Sequence, residues 1–424
     1  MLKNKKTKQN VEVLVIGGGA SGMMAAGRAA ELGKKVVILE KNKALGEKLK
    51  ITGGGRCNIT NAEYDTKEFL SHFGKAKKFL HSPFSKFGVK ESFEFFESKN
   101  LTLMVEEGGR AFPKSEKAMD VFLTLEKYIQ DGNVGIHFKS PVQEITFKEK
   151  DRKIIEVHTE THVFIPERVI VATGGTSHPE TGSTGDGFEW LKEMGHTVKE
   201  STPDIVPVAV KEKWVKKLSG VSLDDIKITF YCGKGVERKK EFTKEGRILC
   251  THFGLSGPMI LNSAGKVRDL LHKGLVTAKV DLFPKLNIGE LEKEFIKLFD
   301  DNKNKLLRNV VPQILPAGFM PAFEKLFSSI DMETKVHSVS KEERKEIVHK
   351  LKEIGVTIVE LMGEDRAVVS DGGVILEEID MKTMQSKKCD NLYVTGDLLN
   401  ISRPSGGYSL QLCWTTGWIA GSEV

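Results

Sequence analysis

Long apolar runs are missing from this 424-residue chain: no stretch approaches the roughly 18 consecutive apolar residues that a membrane-spanning helix needs. The first ten residues carry Lys3, Lys5, Lys6 and Lys8 and no apolar core, so they read as a frayed, solvated start rather than a signal peptide. A cytoplasmic location is the default expectation. Cysteine is scarce and odd in number, and Cys57, Cys232, Cys250, Cys389 and Cys413 are widely spaced, which argues against a disulfide framework. CxxC pairs and His/Cys clusters with metal-ligand spacing are absent, so no metal site is expected. Charge of one sign is also scarce. Lys+Arg 64 against Asp+Glu 58 leaves +6, an excess that reads as small and spread along the chain and argues against a nucleic-acid partner. Solenoid repeats and low-complexity linkers are lacking too. What remains is ordinary globular composition, 39% hydrophobic and 29% charged, long enough for two or three domains.

The most informative stretch is VEVLVIGGGASGMMAAGRAAELGKKVVILEK, residues 11–41. Val11–Ile16 is an apolar, β-rich run of the kind buried in a parallel sheet, Ala20–Leu32 holds helix formers, and Lys35–Leu39 reads as a second strand. Between strand and helix sits Gly17-x-Gly19-x-x-Gly22. The first glycine makes the tight turn, the second lets backbone approach a pyrophosphate, and the third lets helix and strand pack closely. Ala20 and Ser21 open the helix, whose N-terminus favours an anion. Glu40 ends the second strand, followed by Lys41, and can accept hydrogen bonds from ribose hydroxyls. The spacing predicts a dinucleotide site. VIVATGG (169–175), with Ala172, Thr173 and Gly174, and NLYVTGD (391–397), with Gly396 and Asp397, repeat the strand-glycine design. This pattern resembles two-dinucleotide-binding flavoproteins, in which such segments return the chain to the FAD domain and the late aspartate reaches the ribityl hydroxyls.

The chain resembles the bacterial FAD flavoprotein family of aminoacetone oxidase and BaiN-type proteins, often labelled NAD(FAD)-utilising dehydrogenases. GGGASG, KITGGGRCN, GGRAFPKSEKAMDV, TGSTGDG, THFGLSGP, SDGGV, TMQSKK and GGYSLQ carry the likeness over nearly the whole length. It implies non-covalent FAD and an α/β, doubly wound Rossmann-like FAD domain with an inserted β-rich domain and a small helical domain. The expected segments are 1–203 for the first part of the FAD domain, 204–286 for the β-rich insert, 287–352 for the helical part and 353–424 for the return. The residues support that division: VPVAV, IKITFY and VTAKVDLF are strand-like, Asn287 with Glu290 and Ser340 with Glu343 are helix-start pairs, and strand text returns at Val356. No second GxGxxG follows a strand, which counts against a separate NAD(P)H domain.

With FAD expected, the loop ITGGGRCN reads as a ligand nest, the alternative being a plain tight turn. Thr52, Gly53 and Gly54 supply small residues, Arg56 a fixed cation, and Asn58 donor and acceptor atoms for a heterocycle edge. Cys57 reads as a packed or flavin-adjacent thiol rather than a redox one. Gly407, Tyr408 and Ser409 open what looks like the final FAD helix, and Val142 completes the cofactor set. Asp397 and Ser409 stand where the family pattern has GE and GGYN. Thr251, His252, Ser256, Arg110, Phe112 and Tyr408 are substrate-side candidates, with no catalytic acid or base assigned. The expected activity is two-electron transfer between FAD and a small organic molecule: amine oxidation with peroxide release, or reduction of an unsaturated substrate with NAD(P)H as reductant. A tRNA-modifying flavoenzyme and a non-enzymatic redox sensor are the alternatives, and the oligomeric state is open.

Overall fold

The computed structural model describes residues 6–363 and 369–424. Met1–Pro203 and Ala367–Val424 form one compact unit, and Asp204–Arg366 a second. In the first, Thr7–Ile16 (β1), Val36–Leu39 (β2), Gly135–His137 (β3), Glu144–Lys148 (β4), Lys153–His158 (β5) and His162–Val171 (β6) build a sheet in the order β3-β2-β1-β6-β5-β4, with Ala20–Glu31 (α1) crossing from β1 to β2. The β3-β2-β1-β6 part is parallel and β4, β5 and β6 form an antiparallel meander. Parallel strands are covered on both faces, which is why β1 reads as a continuous apolar run; Val13, Leu14 and Val15 are fully buried. The lysine-loaded start is ordered earlier than expected. β1 begins at Thr7 because its backbone pairs with β6 from His162 onward; Lys3 and Lys5 lie outside the described residues.

The second unit is a closed barrel. Val208–Val210 (β7), Ser222–Cys232 (β8), Lys239–Cys250 (β9), Gly254–Ser256 (β10), Val276–Asp281 (β11) and, after two long helices, Ile354–Leu361 (β12) run in the order β7-β10-β9-β8-β11-β12. Those helices are Ile288–Asp301 (α2) and Lys341–Lys352 (α3), and both start with a reciprocal capping box, Asn287 with Glu290 and Ser340 with Glu343. Their apolar faces share the barrel's core: Phe295 and Leu351 belong to the same buried cluster as Val280 and Ile354, so the helical part is no separate body. The strand at 354–361 corrects the expectation that the chain rejoins the first domain from 353. It pairs with β11 and β7 and closes the barrel.

The chain then returns. Leu392–Val394 (β13) adds a parallel strand beside β6, and Tyr408–Glu423 (α4) packs along α1. The two helices approach closely enough that a Cβ on Gly417 would lie 2.5 Å from the Ser21 carbonyl oxygen. Among the described residues no helix is long and apolar enough to cross a membrane.

Candidate functional site

Three turns meet where β1, β6 and β13 end. Ala172 N–H donates to Ile16 O (2.9 Å) and Thr395 N–H to Val171 O (3.2 Å), tying the three strand ends together. The Thr395 hydroxyl donates to Ser21 Oγ at 3.2 Å, which brings the late TGD segment onto the first turn of α1. Gly17 has φ 103°, and a Cβ there would also lie 2.6 Å from Ala172 O. A Cβ on Gly22 would run into the Gly17 carbonyl. At Gly19 the space is open, with nothing within 4 Å of where a Cβ would stand. No side chain caps α1, so its first-turn N–H groups are left for an acceptor from outside the helix.

Glu40 is buried and fixed: one carboxylate oxygen accepts Gly18 N–H (2.9 Å), the other Asn42 N–H (2.8 Å). Each oxygen retains a lone pair for a ribose hydroxyl. Val142 is half-buried against the same core, two residues after Ser140, whose N–H bonds the Glu40 carbonyl. Lys41 reaches Thr184 and pairs with Asp186 (2.8 Å), and Asn42 donates to Thr181 O. TGSTGDG is therefore both a segment docked beside Glu40 and the turn entering the helix Asp186–Glu193.

Gly53, Gly54 and Gly55 are exposed and left-handed (φ 58°, 67° and 85°), while Thr52 anchors the loop through its hydroxyl on Leu49 O, 2.7 Å. Two neighbours already hold partners within the chain, although Arg56 Nε has none among the described residues. The Arg56 guanidinium pairs with Glu106 and Glu116 and lies over Phe112, 4.2 Å from the ring centroid. Asn58, with its amide oriented to satisfy its surroundings, donates to Thr60 O and Ala111 O and accepts Gly407 N–H (3.0 Å). The side chains expected at the phosphate and at the heterocycle edge thus also brace the loop: an arginine near two carboxylates pairs with them, and an amide between strand and helix end bridges both. Cys57 is buried with φ 61°, and burial pushes its thiol up to about 12, which fits packing and excludes a ready thiolate.

Tyr408 departs from expectation as well. Its ring is buried against Phe69 and His72, both at 4.9 Å, and Phe73 at 5.9 Å. Arg403, which sequence reasoning missed, links the two departures from the family pattern. Its guanidinium, 2% exposed, pairs with Asp397 and donates from Nε to Ser409 Oγ (3.0 Å). Lys48 Nζ stands 3.5 Å from the same carboxylate and donates to Ser177 Oγ, 2.5 Å. Burial alone would raise the Asp397 carboxyl, but the Arg403 and Lys48 charges hold it below the usual range. Of the substrate-side candidates, Arg110 pairs with Glu106 in the first unit. Thr251 closes a turn on Gly254 and His252 is exposed, both in the second unit with Ser256.

FAD fits the cradle. The open space at Gly19, the uncapped α1 N-terminus and the fixed Glu40 are joined by Thr173, whose buried hydroxyl has no hydrogen-bond partner among the described residues.

Sequence reading also missed a buried relay that ends on Ser386 of TMQSKK. His196 Nδ1 is 3.0 Å from Glu378, and Nε2 is 2.7 Å from Ser386 Oγ. The spacing imitates a hydrolase triad, but the imidazole is fully buried and Ser386 Oγ already accepts N–H from Lys388 and Cys389. It is a structural lock. Burial lowers the His196 pKa, only partly opposed by Glu378. A depressed histidine contributes stability above its unfolded value near 6.5, and that contribution is lost as pH falls below it. Stability should therefore fall on acidification below about pH 6.5, by at most about 1.4 kcal/mol per pH unit from this one proton, and the thermal midpoint should fall with it. A His196→Gln variant should show a shallower acid slope in the same pH series of melts.

The sequence profile described as HI0933-like protein Rossmann domain matches residues 11–423. A 3-dehydro-bile acid delta(4,6)-reductase from Clostridium scindens is 30% identical over 96% of this chain and 97% of its own. A ribosomal RNA dihydrouridine synthase from Haemophilus influenzae is 27% identical over 98% and 99%. The fold is shared with the 3-ketosteroid-delta4-(5alpha)-dehydrogenase of Rhodococcus jostii RHA1, with TM-score 0.54, 12% identity and 99% of each chain covered.

Proposed function

The chain belongs to the HI0933-like Rossmann-domain family, and on that premise we propose that it reduces a carbon–carbon double bond conjugated to a carbonyl group. It is an FAD-dependent oxidoreductase. One observation carries the finer reading: two relatives matched over nearly their full lengths have unlike substrates with one reactive group in common. A 3-keto compound unsaturated at positions 4 and 6 and the uracil ring both place an alkene next to a carbonyl. The β-carbon of such a system accepts hydride and the α-carbon takes a proton.

When bound, FAD supplies the hydride chemistry. The chain supplies position and charge. The α1 N-terminus takes the pyrophosphate through free N–H groups, Gly19 keeps the approach open, and Glu40 holds the ribose. Asp397, kept ionised by Arg403 and Lys48, is an acceptor for the ribityl hydroxyls. The α4 N-terminus at Gly407 directs the positive end of its dipole into the same unit, where it favours negative charge.

The test is anaerobic. The FAD-loaded protein is reduced with NADPH or NADH, then mixed with a 3-keto-Δ4 steroid, a uridine-containing RNA, or the saturated ketone as control, while visible flavin absorbance is followed. Reoxidation by a conjugated acceptor and not by the saturated ketone is expected. Failure with every conjugated acceptor, together with peroxide formation from an amine in air, would overturn the reading in favour of amine oxidation.

A further inference from the structure

Five of the chain's six excess positive charges fall between Asp204 and Arg366, where twenty-nine Lys and Arg face twenty-four Asp and Glu. The excess is therefore not spread along the chain; averaging over both units conceals the partition. Within the second unit the charge gathers in two segments. Lys211, Lys213, Lys216 and Lys217 lie on and just before the short helix Lys213–Lys217, and Lys234, Arg238, Lys239 and Lys240 lie at the β8–β9 hairpin. All eight are exposed. None has an ion-pair partner among the described residues, whereas Lys227, Arg247 and Lys279 elsewhere on the barrel are paired.

The two segments border one cleft of about 380 Å³, lined by Glu212, Lys234, Arg238, Thr277 and Thr357 among others. Lys211 N–H bonds Thr357 O at 3.1 Å, which fixes the first segment to its rim. The one carboxylate there is engaged: Glu212 Oε2 accepts Thr357 N–H at 2.8 Å. Thr277 Oγ1 has no partner among the described residues. The Arg238 guanidinium is held over the Tyr231 ring, 4.2 Å from its centroid, and at the hairpin tip Val236 is fully exposed. A guanidinium held over an aromatic ring, in a cleft also lined by an ammonium and an unpartnered hydroxyl, suits a phosphodiester.

The geometry points to an RNA-docking surface on the barrel: the two basic segments follow a phosphate backbone, and one phosphodiester occupies the cleft beside Lys234, Arg238 and Thr277. The surface rests on the reductase reading, with a uracil base carried in RNA as the conjugated acceptor, and it reverses the expectation of no nucleic-acid partner. Cations without internal partners release counterions on binding, so affinity falls steeply with salt.

The full-length, FAD-loaded protein is titrated into a fluorescein-labelled, uridine-containing stem-loop RNA across a salt series, beside a Lys234→Ala/Arg238→Ala/Lys239→Ala/Lys240→Ala variant. The variant should bind roughly tenfold or more weakly, with a salt slope shallower by about 0.7–0.9 for each phosphate it no longer neutralises. Flavin content and the thermal midpoint check that it folds. A Lys211→Ala/Lys213→Ala variant tests the other segment should the first misfold. Unchanged affinity and slope would overturn the proposal, as would a wild type that ignores RNA and binds phosphatidylserine vesicles instead. Uracil reduction is measured separately on free uridine and on the RNA. Salt-dependent binding through these residues without reduction leaves the surface standing and overturns uracil as substrate, whereas undiminished reduction of RNA by the variant overturns the surface.

Discussion

A Gly22→Val protein should purify without flavin. The added Cβ would run into the Gly17 carbonyl, a backbone atom that cannot swing aside, and it would stand 3.3 Å from the Ala172 side chain. Relief requires α1 to move off β1, which widens the turn that receives the pyrophosphate. Overpacking of this kind costs about 1–3 kcal/mol in stability, and displacement of the helix N-terminus adds a loss of FAD affinity of at least about a hundredfold, or about 2.7 kcal/mol. Gly19→Ala separates the two effects. Its backbone is ordinary (φ −80°) and nothing lies within 4 Å of the new methyl, so the apoprotein should melt at the wild-type temperature. The methyl would nevertheless occupy the approach to the α1 N-terminus, so FAD affinity alone should fall. Fluorescence titration with FAD, paired with melts of the apoproteins, distinguishes the variants. Full flavin occupancy in Gly22→Val would show that the cradle is not where the dinucleotide binds.

Arg403→Met should be the most destabilising change at the C-terminal side of the cradle. Arg403 makes a buried pair with Asp397 and further bonds to Ser409 and the Ile401 carbonyl. Removing it leaves Asp397 with Lys48 alone, 3.5 Å away. Breaking one side of a buried pair costs about 3–5 kcal/mol, because the remaining charge is stranded in low dielectric. The melting midpoint of the first unit should fall on the order of 10 °C. Much of that loss should be recovered by combining Arg403→Met with Asp397→Asn, since the double change removes the stranded charge. In the wild type, the depressed Asp397 carboxyl contributes stability above its unfolded value near 3.9, and this is lost as pH falls through its folded value. A single variant that melts like the wild type would mean that the pair carries no stability.

The dinucleotide cradle was legible because its signals are local. An apolar run, three glycines with distinct backbone tasks and an acid at the next strand end all lie within residues 11–41. The capping boxes at Asn287 and Ser340 were legible for the same reason. Partner choice was not. Arg56 next to three glycines looks like an anion ligand until the fold brings Glu106 and Glu116 to it across 50 and 60 residues. Val356 reads as strand, yet nothing in its alternation says which sheet it joins; the pairing with β11 decides. Arg403 had one usable signal, a lone arginine between the two motif positions where this chain departs from the family, Asp397 and Ser409. His196 and Ser386, 190 residues apart, left none.

The first unit is discontinuous, and this orders events during synthesis. Of the residues around the cradle, Gly17 to Glu40 leave the ribosome before the barrel, whereas Gly396, Asp397 and α4 leave it after the barrel. At roughly 5–20 residues per second, the nascent α1 waits tens of seconds or more for the helix that covers it. The barrel, contiguous from Asp204 to Arg366, can complete its own core in that interval. A complete cradle consequently exists only once α4 has been made and packed on α1, and a product cut short before β13 should carry an exposed α1 and fail to retain FAD.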